Sequence, residues 1–416
     1  MRFYIDPGTG SMLFTILVGL LGAGIYALRG MFMKLRFILT GGSKEKASDR
    51  TIPYVIFTDD KRYWNIFGPI CREFDKRGVP VVYMTPSPDD PGLKEEFQHV
   101  KTQFIGEGNK AFAKMNLLNA DVVLATTPGL DVYQWKRSKD VKYYVHILHA
   151  VNDAMYRMFG LDYFDSILLS GPFQEGQLRE LEQKRNLPAK EMVVVGQPYM
   201  DGLYERIQTA PPLENHETTI LLAPTWGQSG ILSRYGSKAI RALLDTGYHI
   251  VVRPHPQSFA SEKELMEKLQ KEFPDSEQLE WNRDNDNFEV LRRSDLMISD
   301  FSGVIFDFAL AFDKPIIYAD TSYDKSPYDS CWLDEEMWTF TILPRMGRQL
   351  TEENLPHIKE VIDSCMHDEK YRQGRDEARA EAWNYIGQST VRTVDYLIAK
   401  REELREAAET DNRKEK

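Results

Sequence analysis

Cysteine is nearly missing from this chain. Only Cys71, Cys331 and Cys365 occur, far apart and odd in number. Without a CxxC pair they form neither a disulfide framework nor a zinc-finger pattern. Positive charge is also in deficit. A net charge of -11 excludes non-specific nucleic-acid binding, which needs surplus Lys and Arg to displace phosphate counterions. Any phosphate-bearing ligand must therefore be held by local cations and backbone amides. A GxxxxGK[ST] loop, a GxGxxG after a strand, an HExxH helix and a clustered carboxylate set are all absent from the sequence. These absences set aside P-loop NTPases and classical dinucleotide enzymes and predict neither a bound metal nor a cofactor. No repeat of fixed 20–50-residue period is visible, so solenoids are set aside as well.

What is present is the composition of a globular protein, 42% hydrophobic and 28% charged, in 416 residues, a length that predicts two domains. The first 40 residues differ in kind. No charge occurs from Pro7 to Leu28, and Met12–Leu28 is almost wholly apolar. With the residues that follow, the run approaches the ~20 needed for a membrane-spanning helix. Arg29, Lys34, Arg36, Lys44, Lys46 and Arg50 follow it, against Arg2 alone before it. The positive-inside rule then predicts a single-pass protein of the cell membrane with the rest of the chain in the cytoplasm.

After the polar linker 41–50, short β-branched runs alternate with amphipathic stretches. Strands are expected at 53–57, 79–84, 120–125, 143–148, 166–169 and 191–195, with helices at 64–76 and 173–185. Pro211-Pro212 and a polar stretch mark a boundary. The alternation then restarts, with strands at 219–223, 248–252, 278–281, 295–299 and 315–319 and helices at 237–246, 262–272, 288–293 and 303–312. Near-continuous apolar strands separated by helices predict parallel sheets covered on both faces. The expected fold is α/β: a membrane segment over 1–40, one doubly wound Rossmann-like domain over 51–210, a second over 217–375, and a closing helix with a charged tail over 376–416. Helices are expected over 355–366 and 371–400, and the last fifteen or so residues are expected to lack fixed structure.

In doubly wound sheets ligands bind beyond the carboxyl ends of the strands, so the loops there carry the chemistry. Four stand out: His149–Asp153, Pro224–Gly230, Arg253–Gln257 and Asp300–Gly303. Arg253 offers a planar donor fork for phosphate oxygens, and the prolines beside His255 hold it in a stiff frame. Such a histidine can hydrogen-bond a diphosphate or protonate a leaving oxygen. Ser302 and Gly303 open a helix, where free N–H groups attract anions, and Thr225 with the Gly227–Gly230 backbone adds donors. His149 is the candidate base for an acceptor hydroxyl. Asp59-Asp60 and Asp89-Asp90 read as turn and cap residues, not metal ligands.

Over about 143–319 the chain resembles the CDP-glycerol glycerophosphotransferase family, the teichoic acid primases and polymerases of GT-B-like fold. The resemblance rests on FDSILLSGPFQEGQL, VVVGQPYMDGLYE, ILLAPTW, VVRPHP and above all SDFSGVIFDFALAFDKPIIY. It implies a CDP-polyol donor, glycerol phosphate as the group moved, a membrane-bound lipid-linked acceptor and release of CMP. It also implies that Arg253, His255, Asp300, Ser302 and Thr225 surround the donor diphosphate, and that His149 is the catalytic base of an HGTP-x-K motif. Here that motif reads HAVNDA, keeping only the histidine, and Gln197-Pro198-Tyr199 lacks the arginine of G-x-P-R. Two other readings stay open: a glycosyltransferase or sugar-nucleotide epimerase with a UDP donor, and a non-catalytic membrane scaffold that binds a nucleotide or glycan precursor.

Overall fold

The computed structural model describes residues 51–153, 156–213, 216–284, 286–319 and 324–414. The expected membrane segment lies outside them. Among the described residues, no helix is long and apolar enough to cross a membrane.

Two parallel sheets dominate. The first contains β1 (Ile52–Phe57), β2 (Val81–Thr85), β3 (Val100–Phe104), β4 (Asn119–Ala125), β5 (Asp140–Ile147), β6 (Ser166–Leu169) and β7 (Glu191–Val194), in the order β3-β2-β1-β4-β5-β6-β7. The second contains β8 (Thr219–Leu222), β9 (His249–Val252), β10 (Leu279–Trp281), β11 (Leu296–Ser299), β12 (Ile316–Ala319) and β13 (Gly347–Leu350), in the order β10-β9-β8-β11-β12-β13. Alternate residues of each strand enter opposite cores. Val55, Phe57, Val123 and Ala125 face one side of the first sheet, while Tyr54, Ile56, Val122 and Leu124 face the other. Ile220, Leu222, Ile250 and Ile298 oppose Leu221, Val251 and Met297 in the second. Burial on both faces explains why these strands read as unbroken apolar runs.

Two strands escaped the sequence reading. β3 (VKTQF) and β13 (GRQL) are edge strands, largely polar and half-exposed. The expected helix over 303–312 begins as Val304–Phe306 and widens to a π-type turn over Asp307–Ala311. The expected helix over 371–400 is two helices, Glu369–Ala382 and Ser389–Lys414. Asp201 holds the break between them, accepting Trp383 Nε1–H at 3.1 Å and Ser389 N–H at 2.8 Å. Gly196, at φ 90°, lets the chain pass there, since a Cβ would lie 2.4 Å from the Asn384 carbonyl. The charged end is helical to Lys414, against the expectation of no fixed structure. Its Val394 and Leu397 pack with Tyr54, Ile56 and Phe74 of the first half, and Arg401 pairs with Asp121 at 2.7 Å.

Buried carboxylates join the two halves. Asp153 accepts Trp338 N–H at 2.7 Å and Thr339 N–H at 3.0 Å, placing a negative charge at the N-terminus of the helix Trp338–Met346. Asp329 accepts Phe159 N–H at 2.8 Å and pairs with Arg185, whose other nitrogen meets Asp162 at 2.7 Å. Asp153, at the variable position of the HGTP-x-K-like segment, is thus part of this joint.

Candidate active site

Each sheet reverses its strand order once, between β1 and β4 in the first and between β8 and β11 in the second. At such a switch point adjacent loops diverge and open a crevice beyond the strand ends. The loops after β8 and β11 hold Thr225 and Asp300–Gly303; those after β1 and β4 hold Asp59–Tyr63 and Thr126.

In the second sheet the organiser is Asp300, buried at 1% exposure. Its carboxylate accepts Thr225 N–H at 3.0 Å, Ser302 N–H at 3.2 Å and Ile231 N–H at 3.4 Å. Burial pushes its pKa up to about 6, opposed by those N–H groups. Asp300 therefore shapes the loops, while Thr225, Ser302 and Gly303 stand half-exposed on them. A Cβ on Gly303 would meet nothing within 4 Å, so this backbone borders open space. Arg253, after β9, is half-buried; it donates to Asn282 and, at 2.8 Å, to the Asp284 carbonyl. His255 is held by Gln257 N–H, which donates to its Nδ1 at 3.1 Å. That bond leaves the proton of the neutral ring on Nε2, so His255 is a donor there. Burial, then the charge of Arg62, lowers its pKa.

In the first sheet His149 follows β5. Its Nδ1 lies 3.2 Å from Thr126 Oγ1 and 3.4 Å from the Tyr156 hydroxyl. Thr126 already donates its hydroxyl proton to the Ile147 carbonyl at 2.8 Å. Its oxygen can then accept from His149, an arrangement that suits a proton on Nδ1 and a lone pair on Nε2. That is the tautomer a general base requires. Burial, then the charge of Arg62, lowers the pKa to about 4, so the ring is neutral at pH 7. The Tyr63 ring flanks it at 5.1 Å between centroids. His146, wholly buried, stands 3.3 Å from the Tyr156 hydroxyl and packs on Phe164 as a core residue.

Asp60 caps the turn Lys61–Tyr63 by accepting Arg62 N–H, and Asp90 accepts Gly92 N–H, both at 2.9 Å. Asp89 pairs with Lys61. Asp59 differs: one carboxyl oxygen is buried without a hydrogen-bond partner, and burial raises its pKa. Sequence reasoning missed Asp59, Arg62, Tyr63, Thr126 and Tyr156 as a group. The common signal of all but Tyr156, which follows β5, is the switch point, which requires the strand order. Among the described residues no cluster of three His, Cys, Asp or Glu could hold a metal ion.

Residues 177–406 match the family described as CDP-Glycerol:Poly(glycerophosphate) glycerophosphotransferase. No curated protein sequence matches the chain. Among solved structures, a variant of the wall teichoic acid polymerase TagF soaked with CDPG is similar at 15% identity and a TM-score of 0.56, covering 91% of this chain and 98% of that one. The UDP-GlcNAc 2-epimerase from Neisseria meningitidis, bound to UDP-GlcNAc, gives 12% identity and a TM-score of 0.54, covering 84% and 100%. That from Methanocaldococcus jannaschii, with UDP-GlcNAc and UDP, gives 12% and 0.53 over the same shares. At these identities the likeness is one of fold, two Rossmann-like sheets in a GT-B-like arrangement.

Proposed function

Because the chain belongs to the CDP-glycerol:poly(glycerophosphate) glycerophosphotransferase family, we propose that it moves glycerol phosphate from CDP-glycerol to a hydroxyl of a membrane-bound, lipid-linked acceptor, releasing CMP, in synthesis of a teichoic-acid-type polymer. The observation that carries this reading is the contrasting hydrogen bonding of two histidines: His149 Nδ1 lies beside the Thr126 hydroxyl, whose proton goes to Ile147, whereas His255 Nδ1 accepts Gln257 N–H. His149 takes the proton of the acceptor hydroxyl. The oxygen attacks the donor's β-phosphorus, the bond to the bridging oxygen breaks, and CMP leaves with that oxygen. His255, Arg253, Thr225 and the Ser302–Gly303 backbone hold the phosphoryl charge as it develops. Preorganised donors of this kind contribute about 2.7–4 kcal/mol each to an oxyanion-like transition state.

The apolar run before residue 40 would anchor the enzyme as a single-pass membrane protein, with its basic flank placing both sheets on the cytoplasmic side, where a lipid-linked acceptor is reached at the bilayer surface. A UDP-sugar enzyme rests on fold likeness alone, and a scaffold has no use for a base-competent His149.

The test is release of CMP from CDP-glycerol and CDP-ribitol by the detergent-solubilised protein with a membrane lipid extract. Wild type is expected to release CMP, and His149→Ala and His255→Ala to lose it. Binding of UDP in preference to CDP, or binding of CDP without release on any extract, would overturn the assignment.

A further inference from the structure

Neutral histidines leave the crevice short of positive charge for a diphosphate, and Arg253 shares its donors with Asn282 and Asp284. Arg62 stands elsewhere, on the loop after β1 at the switch point of the first sheet. Its backbone is fixed, with Arg62 N–H on the Asp60 carboxylate at 2.9 Å and Tyr63 N–H on the Asp60 carbonyl at 3.2 Å. Its guanidinium lies over the Tyr63 ring at 5.1 Å, and Tyr63 in turn flanks His149. The side chain is 69% exposed, with a loose contact to Asp60 at 3.7 Å. An exposed pair of that length contributes little, so the fork is free to turn to a ligand. After burial, its charge is the second cause that lowers the pKa of a histidine of each sheet, His149 and His255.

We propose that Arg62 is a phosphate-binding residue, taking oxygens of the donor's transferred phosphoryl group on the side from which the acceptor hydroxyl arrives. A planar guanidinium suits this role because it meets two phosphate oxygens at once. The inference rests on the transferase reading above and adds a residue of the first sheet to the donor site.

The experiment uses the full chain in detergent with inorganic pyrophosphate as the probe, comparing wild type, Arg62→Gln and Arg62→Lys. Binding is followed by calorimetry, and the titration of His149 and His255 by NMR. Arg62→Gln is expected to weaken pyrophosphate binding at least tenfold and to raise the pKa of His149 in the free protein. Pyrophosphate should raise that pKa in wild type and leave it nearly unmoved in the glutamine variant. Arg62→Lys should keep the low pKa and recover only part of the affinity. Pyrophosphate binding within twofold of wild type in Arg62→Gln would overturn the proposal. Loss of CDP-glycerol turnover in wild type would instead overturn the transferase reading, with the dependence of pyrophosphate binding on Arg62 still decided.

Discussion

In the second sheet one carboxylate, Asp300, arranges both switch-point loops through their backbone N–H groups. In the first sheet the equivalent place is built from side chains of three separate loops, with Thr126 and Tyr156 meeting His149 and Tyr63 tilted against it. The first construction is local and fixes two loops by geometry. The second is assembled from distant segments and sets a protonation state. A donor common to many reactions can be met by fixed backbone, whereas an acceptor hydroxyl needs a base whose tautomer is defined.

The largest break in that comparison should come from His149→Gln, expected to lower turnover by roughly 10²–10⁴-fold, the usual contribution of a general base, with CDP affinity unchanged. Kinetics with calorimetry checks both parts. Asp300→Ala should do the reverse. It strands buried N–H groups, at about 1–3 kcal/mol for each one left unpaired, so the melting temperature and CDP affinity should both fall. Thr126→Val removes the acceptor for His149 Nδ1. It should cost about tenfold in kcat, near the worth of one hydrogen bond, with donor KM unmoved and Thr126→Ser restoring activity. A separate effect concerns pH. His149 has its folded pKa lowered from 6.5 to about 4, so between those values the unfolded chain takes up a proton that the folded one refuses. Its contribution to stability is therefore full above pH 6.5 and lost as pH falls toward 4. Denaturant titrations of wild type and His149→Gln across that window should diverge toward high pH.

The strands of the second sheet were legible because they are short apolar runs, and the candidate ligand loops could be picked out because they lie directly after them. His255, Arg253, Thr225, Ser302 and Gly303 could be singled out from position alone, although only the structure shows Asp300 turned inward as an organiser. His149 was legible for the same reason. Arg62 and Thr126 were not, because nothing local marks them; their importance comes from β1 and β4 being neighbours although some sixty residues apart. The polar edge strands β3 and β13 escaped because half-exposed strands lose the apolar signal. The break at 383–388 escaped because Asp201, which holds it, lies nearly two hundred residues earlier.

The return of the helix Ser389–Lys414 to the first sheet has a consequence for synthesis on the ribosome. Val394 and Leu397 complete a core begun by Tyr54 and Ile56, and Arg401 neutralises Asp121. The usual order, in which an N-terminal domain folds while the rest is still being made, cannot finish here. The first sheet waits, with apolar surface uncovered, until the chain has been translated past Leu397. The second half, whose cores draw mostly on neighbouring segments, can close before it.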